Sequence, residues 1–121
     1  MKNVLFLPGA AGAARFWDPV VLRLPTSWQV QAIHLPGLGG VPAQPDVASY
    51  DDLVGHAART ITAPTTIVAQ SMGSFIALEL ALRFPRLVRH LVLVAATGGI
   101  DVASLGGADW REDYVAAYSH A

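Results

Sequence analysis

Apolar positions along this chain fall in short unbroken runs, not in alternation. Val4-Leu5-Phe6-Leu7 is the first run, and Pro8-Gly9 closes it. A run of that length bounded by turn residues predicts a strand buried on both faces. Ala10 to Ala14 form a loop of small residues. Phe16-Trp17 opens a short helical stretch through Leu24, where Pro25 stops it. Val30-Gln31-Ala32-Ile33 predicts a second strand with a weaker pattern. The glycines and proline of Leu35-Pro36-Gly37-Leu38-Gly39-Gly40 mark a loop with unusual backbone angles or a close approach. Residues 41–47 are proline-rich and read as irregular.

Ser49 is the expected N-cap of a helix running to about Ile61, with Asp51 and Asp52 in its first turn. Thr65-Thr66-Ile67-Val68-Ala69 is a β-branched third strand. Met72 to Phe84 predicts a helix ended by Pro85. Leu87-Val88 and Leu91-Val92-Leu93-Val94 give a fourth strand, closed by Gly98-Gly99. The tail from Asp109 to His120 is weakly helical, with Trp110, Tyr114 and Tyr118 near helical spacing.

Strands therefore alternate with helices, the signature of an α/β fold with a mainly parallel sheet covered on both faces. At 121 residues the chain is one domain, with residues 101–121 set apart as the expected start of a lid. Apolar residues make up 53% and charged residues 14%, so the chain is core-rich, with apolar surface left to cover. A net charge of −1 without a Lys/Arg cluster argues against a nucleic-acid partner. With no cysteine there is no disulfide, thiolate metal site or cysteine nucleophile, which fits a reducing, cytoplasmic setting. Lys2 before Val4–Leu7 mimics a signal peptide, but the run is too short, and no apolar stretch is long enough to span a bilayer.

The chemistry concentrates at Ala69-Gln70-Ser71-Met72-Gly73, between the third strand and its helix. A small-x-Ser-x-small turn there is a nucleophile elbow. The serine takes a strained backbone conformation that brings its neighbours two residues away close together, so Ala69 and Gly73 must be small. Ser71 Oγ would project at the carboxyl end of the sheet, where open α/β sheets bind ligands. The Met72 N–H, at a helix N-terminus, would supply half of an oxyanion hole. The plainer alternative is that Ser71 merely caps the helix.

Taken with these residues, the chain resembles the N-terminal half of an α/β-hydrolase-fold protein. Ser71 to Ala81, Phe84-Pro85, Val88 and Leu91 to Ala95 are similar to the family's nucleophile helix and next strand. Leu7-Pro8-Gly9-Ala10-Ala11-Gly12 resembles the oxyanion loop, with Pro8 where His is common. His34-Leu35-Pro36-Gly37-Leu38-Gly39 resembles the following strand-end loop, with His34 where Asp is common. The resemblance implies strand order 2-1-3-4, the Ala10 N–H as second oxyanion donor, and Ala11, His34 and Leu38 as pocket candidates.

It also implies what the chain lacks. Family members place an acid and a histidine after two further strands, and the fourth strand here would be left as an apolar edge. That edge predicts self-association or completion by a missing C-terminal segment. An internal triad would need Asp101 and His120; the order fits, but His120 lies beside the chain end. His56 and His90 read as surface or packing residues, His90 just before the fourth strand. Trp17 packs the first helix, and Phe16 reaches either that helix or the pocket. The expected activity is a serine hydrolase acting on an ester, lactone, thioester or related acyl bond. Alternatives are C–C bond hydrolysis or a lyase step on the same fold, or a non-catalytic module. No motif implies a metal, nucleotide or flavin.

Overall fold

The computed structural model describes residues 2–10, 13–96, 100–109 and 111–118. Strands β1 (Asn3–Leu7), β2 (Gln29–Ala32), β3 (Thr65–Gln70) and β4 (Val88–Val94) form one parallel sheet in the order β2-β1-β3-β4. This is the partial α/β-hydrolase sheet that the resemblance implies. β1 and β3 lie at the centre, with Leu5 opposite Ile67 and Leu7 opposite Ala69. Their apolar runs are explained by that position, since both faces are covered.

Successive residues of a strand point to opposite faces. Leu5, Leu7, Ile67 and Ala69 join a core with Val54 and Ala57 of α2 (Tyr50–Ala58) and Ile76, Ala77 and Leu80 of α3 (Gly73–Arg83). On the opposite face Val4 and Phe6 meet Trp17, from a 3-10 turn at Ala14–Trp17 that runs into α1 (Asp18–Val21). The Phe6 and Trp17 rings lie 5.1 Å apart, tilted by 49°. Each fully buried Leu, Ile or Phe contributes roughly 1.5–3 kcal/mol relative to exposure. Helices thus occupy both faces, the second one thinly.

Several boundaries move from the expected ones. The first helix is a 3-10 turn followed by a single α turn ending at Val21, with Pro19 in the first turn and Leu22 to Leu24 closing it as turns. β2 begins one residue early, because the Gln29 N–H donates to Lys2 O and sets the register. α2 stops at Ala58, not Ile61: the Thr60 and Ile61 amides turn back to Ala57 and Ala58, and Ile61 enters the core from that turn. β4 runs unbroken through Arg89 and His90, so His90 lies inside the strand, opposite Thr66.

β2 and β4 are the edges. β2 presents Gln29 and Gln31 to solvent, whereas β4 exposes Val92, Leu93 and Val94. Beyond it, a 3-10 turn (Ala103–Leu105) and α4 (Arg111–Tyr118) follow, and the side chains described in residues 100–117 are all exposed. Trp110 and Gly98-Gly99 lie outside the described residues.

Candidate active site

β3 ends at Gln70 and α3 begins at Gly73, so the chain reverses within Ser71-Met72. Ser71 has φ 51°; it and Ala95 are the non-glycine residues with positive φ among those described. That conformation crowds Cβ against the backbone and costs roughly 1–2 kcal/mol. The surroundings hold it in place. The Ser71 N–H donates to Val94 O at 2.9 Å, and the Ser74 N–H donates to Ser71 O at 2.9 Å. The buried Ser74 hydroxyl donates to Ala69 O at 3.4 Å.

A small residue is required at position 73, but against the end of β1 and not against Ala69. A Cβ on Gly73 would strike the Pro8 carbonyl and lie 3.1 Å from Leu7 O, so the start of α3 rides directly on the end of β1. A Cβ on Gly9 would strike Gln70 Oε1 and lie 3.3 Å from Ser71 Cβ. The loop after β1 therefore passes beside the serine side chain. The contact with Gln70 carries no sequence signal beyond adjacency to Ser71.

Ser71 is exposed, and among the described residues none hydrogen-bonds its hydroxyl. α3 begins without a side-chain cap bond, so the capping alternative does not describe this turn. The Met72 and Ala10 amides donate to no described acceptor either. The turn thus presents an exposed hydroxyl that no described residue engages, on a strained backbone at the start of α3.

The other sequence candidates separate. His34 is exposed at the end of β2, and its Nδ1 accepts the Ala14 N–H at 3.1 Å. Leu38 packs, half-buried, against the core under α2 and α3. Asp101 lies just before the following 3-10 turn, its Oδ1 accepting the Ser104 N–H at 3.2 Å while the Ser104 hydroxyl donates to its carbonyl at 2.8 Å. Ala11 and His120 lie outside the described residues. His56 is half-buried in α2. Phe16 stands half exposed, edge-on to Trp17 at 5.1 Å. Trp17 is buried and donates its indole N–H to Leu7 O at 2.9 Å, a bond that its helical spacing does not reveal.

Electrostatic perturbation lies elsewhere. Backbone amide donation from Ala48, then the Ser49 side chain, holds the Asp52 carboxyl below its usual range at the start of α2. Burial, then the charge of Glu79, raises the Tyr50 hydroxyl. Among the described residues no group of three or more His, Cys, Asp or Glu is placed to hold a metal, and no helix is long and apolar enough to cross a membrane.

The alpha/beta hydrolase fold family matches residues 2–117. The chain belongs to that family. It is 37% identical over 105 residues to the pimeloyl-[acyl-carrier protein] methyl ester esterase of Neisseria meningitidis serogroup C, covering 85% of this chain and 40% of that protein. BpoC of Mycobacterium tuberculosis, assigned by name to the non-heme bromoperoxidases, is 33% identical over 105 residues, or 83% of this chain and 40% of that one. The crystal structure of BpoC superposes with a TM-score of 0.70 at 29% identity, covering 99% of this chain and 46% of BpoC. The α/β-hydrolase chain described here thus spans about 40% of the length of these curated relatives.

Proposed function

We propose that this chain is the nucleophile-bearing part of a serine hydrolase that cleaves an ester or related acyl bond. The observation that carries the reading is Ser71 itself: φ 51°, exposed, its hydroxyl without a described partner, at the end of a central strand. In this reading Ser71 Oγ attacks the substrate carbonyl while the Met72 and Ala10 N–H groups stabilise the oxyanion. The tetrahedral intermediate collapses with loss of the alcohol, and water releases the acid. The similarity to a methyl ester esterase favours a small alkyl ester of a longer acyl chain as the substrate class.

The reaction also needs a base to take the serine proton. Among the described residues no imidazole or carboxylate reaches Ser71. The proposal therefore includes a histidine and an acid contributed from outside the described residues, with the tail from residue 101 leading into a lid. A second reading is a non-catalytic module that retains the turn as architecture.

Intact mass after a fluorophosphonate probe separates the two. The hydrolase reading expects one adduct, mapped to Ser71 and abolished in Ser71→Ala, from the chain joined to its complementary part. Complete absence of labelling and of ester turnover in that form would support the non-catalytic module. An adduct on the 12.8 kDa chain alone would mean that Asp101 and His120, or another internal pair, supply the base.

A further inference from the structure

The loop after β1 has no polar side chain of its own. Pro8 lacks an amide N–H, and from Gly9 to Ala14 every side chain is absent or a single methyl. Yet this loop must keep the Ala10 amide in register with Ser71 if the hydrolase reading is right. Its two ends are tied by side chains from elsewhere. At the entrance the Trp17 indole N–H donates to Leu7 O at 2.9 Å, a buried bond at the end of a central strand. At the exit the Ala14 N–H donates to His34 Nδ1 at 3.1 Å, across 20 residues of sequence. Ala13 is extended, with φ −108° and ψ 174°, and its carbonyl accepts the Phe16 N–H at 2.9 Å, so the chain enters the 3-10 turn directly from that tie.

We propose that His34 is a positioning residue for the loop bearing the Ala10 amide, holding the loop exit by accepting the Ala14 N–H at Nδ1 in its neutral form. The chemistry fixes the tautomer. An imidazole nitrogen that accepts carries no proton, so the ring proton sits on Nε2. A protonated ring donates from both nitrogens and cannot accept, so protonation must break this bond. The titratable groups on the adjoining elements are Arg15 in the 3-10 turn and Asp18 in α1; the loop from Leu35 to Pro45 holds none. His34 touches no reacting atom in this proposal; it acts through the loop. The link to oxyanion stabilisation rests on the hydrolase reading, but the bond does not.

Nuclear magnetic resonance on the 15N-labelled 121-residue chain tests it without turnover. The native ring is expected to show an unprotonated Nδ1 and a protonated Nε2. Relative to its intrinsic rate at each pH, amide exchange at Ala14 should be about fivefold to tenfold faster in the protonated form, the loss of one modest hydrogen bond. The Ala10 amide resonance should shift in parallel, while Leu5 and Ile67 amides in the sheet stay protected. His34→Asn keeps an acceptor and should preserve Ala14 protection with no pH step; His34→Leu should lose it at every pH. A native ring protonated on Nδ1 would overturn the proposal, and so would an Ala14 amide indifferent to ring protonation. An Ala10 signal that ignores Ala14 would reduce the bond to a local contact and overturn the positioning role. If His34→Leu fails to fold, the wild-type ring and amide measurements still decide. Loss of fluorophosphonate labelling with the His34 results intact would reject the hydrolase reading alone.

Discussion

At the scale of single residues, the site is made by two close approaches. Gly73 meets backbone, which cannot move aside; Gly9 meets the far end of the Gln70 side chain, which can. Gly73→Ala is therefore expected to cost about 1–3 kcal/mol of unfolding free energy, as overpacking does, and Gly9→Ala clearly less, both read from urea denaturation. Ser71 offers a second comparison. Ser71→Ala and Ser71→Gly both lack the hydroxyl, but only glycine relieves φ 51°. The glycine variant should be the more stable of the two by about 1 kcal/mol in the same assay. The small-x-Ser-x-small pattern made Ser71, Ala69 and Gly73 legible, although the contact that requires a small residue at position 73 is with the end of β1. The His34–Ala14 and Trp17–Leu7 bonds were not legible, since they join residues 20 and 10 positions apart with no periodicity to announce them.

At the scale of elements, legibility followed burial. β1 and β3 are covered on both faces, so their apolar runs marked them well. β2 has half its positions in solvent, and its pattern slipped by one residue. Ile61 extended the apolar period beyond α2 because a turn, not the helix, carries it into the core. The start of α2 was readable from Ser49, but its reciprocal box was not: the Ser49 hydroxyl accepts the Asp52 N–H at 3.1 Å while Asp52 Oδ2 accepts the Ser49 and Ala48 amides. Ser49→Ala should cost about 1 kcal/mol by chemical denaturation. Asp52 gives this element a pH signature. Its carboxyl titrates below its ordinary value of 3.8, chiefly through the Ala48 amide. Its stabilisation is thus fully present above that value and is lost as pH falls through the lower folded value. Unfolding curves should show a constant stability difference between wild type and Asp52→Asn near neutrality, shrinking progressively as pH falls below 3.8.

At the scale of the molecule, the sheet has one polar edge and one apolar edge. β4 leaves Val92 47% and Val94 41% exposed on the face where Val68 lies, a face that α1 and its 3-10 turn do not reach across. An unpaired apolar strand is a template for another strand. Sedimentation velocity should therefore show species heavier than the 12.8 kDa chain, and Val92→Lys should shift them toward monomer. A monodisperse monomer at every concentration would contradict this. The strand order was legible only through resemblance to a family, because no periodicity says which strands are neighbours. The thin cover over β4 follows from that order, together with a tail whose described side chains meet solvent.

The hydrogen bond from the Ser71 N–H to Val94 O links these two scales. The last residue of the apolar edge is the acceptor that holds the strained serine. Whatever orders β4 therefore also orders Ser71, and the coupling is reciprocal. A partner strand that raises the affinity for a ligand at Ser71 by a given factor must itself bind more tightly, by that same factor, once the ligand is in place.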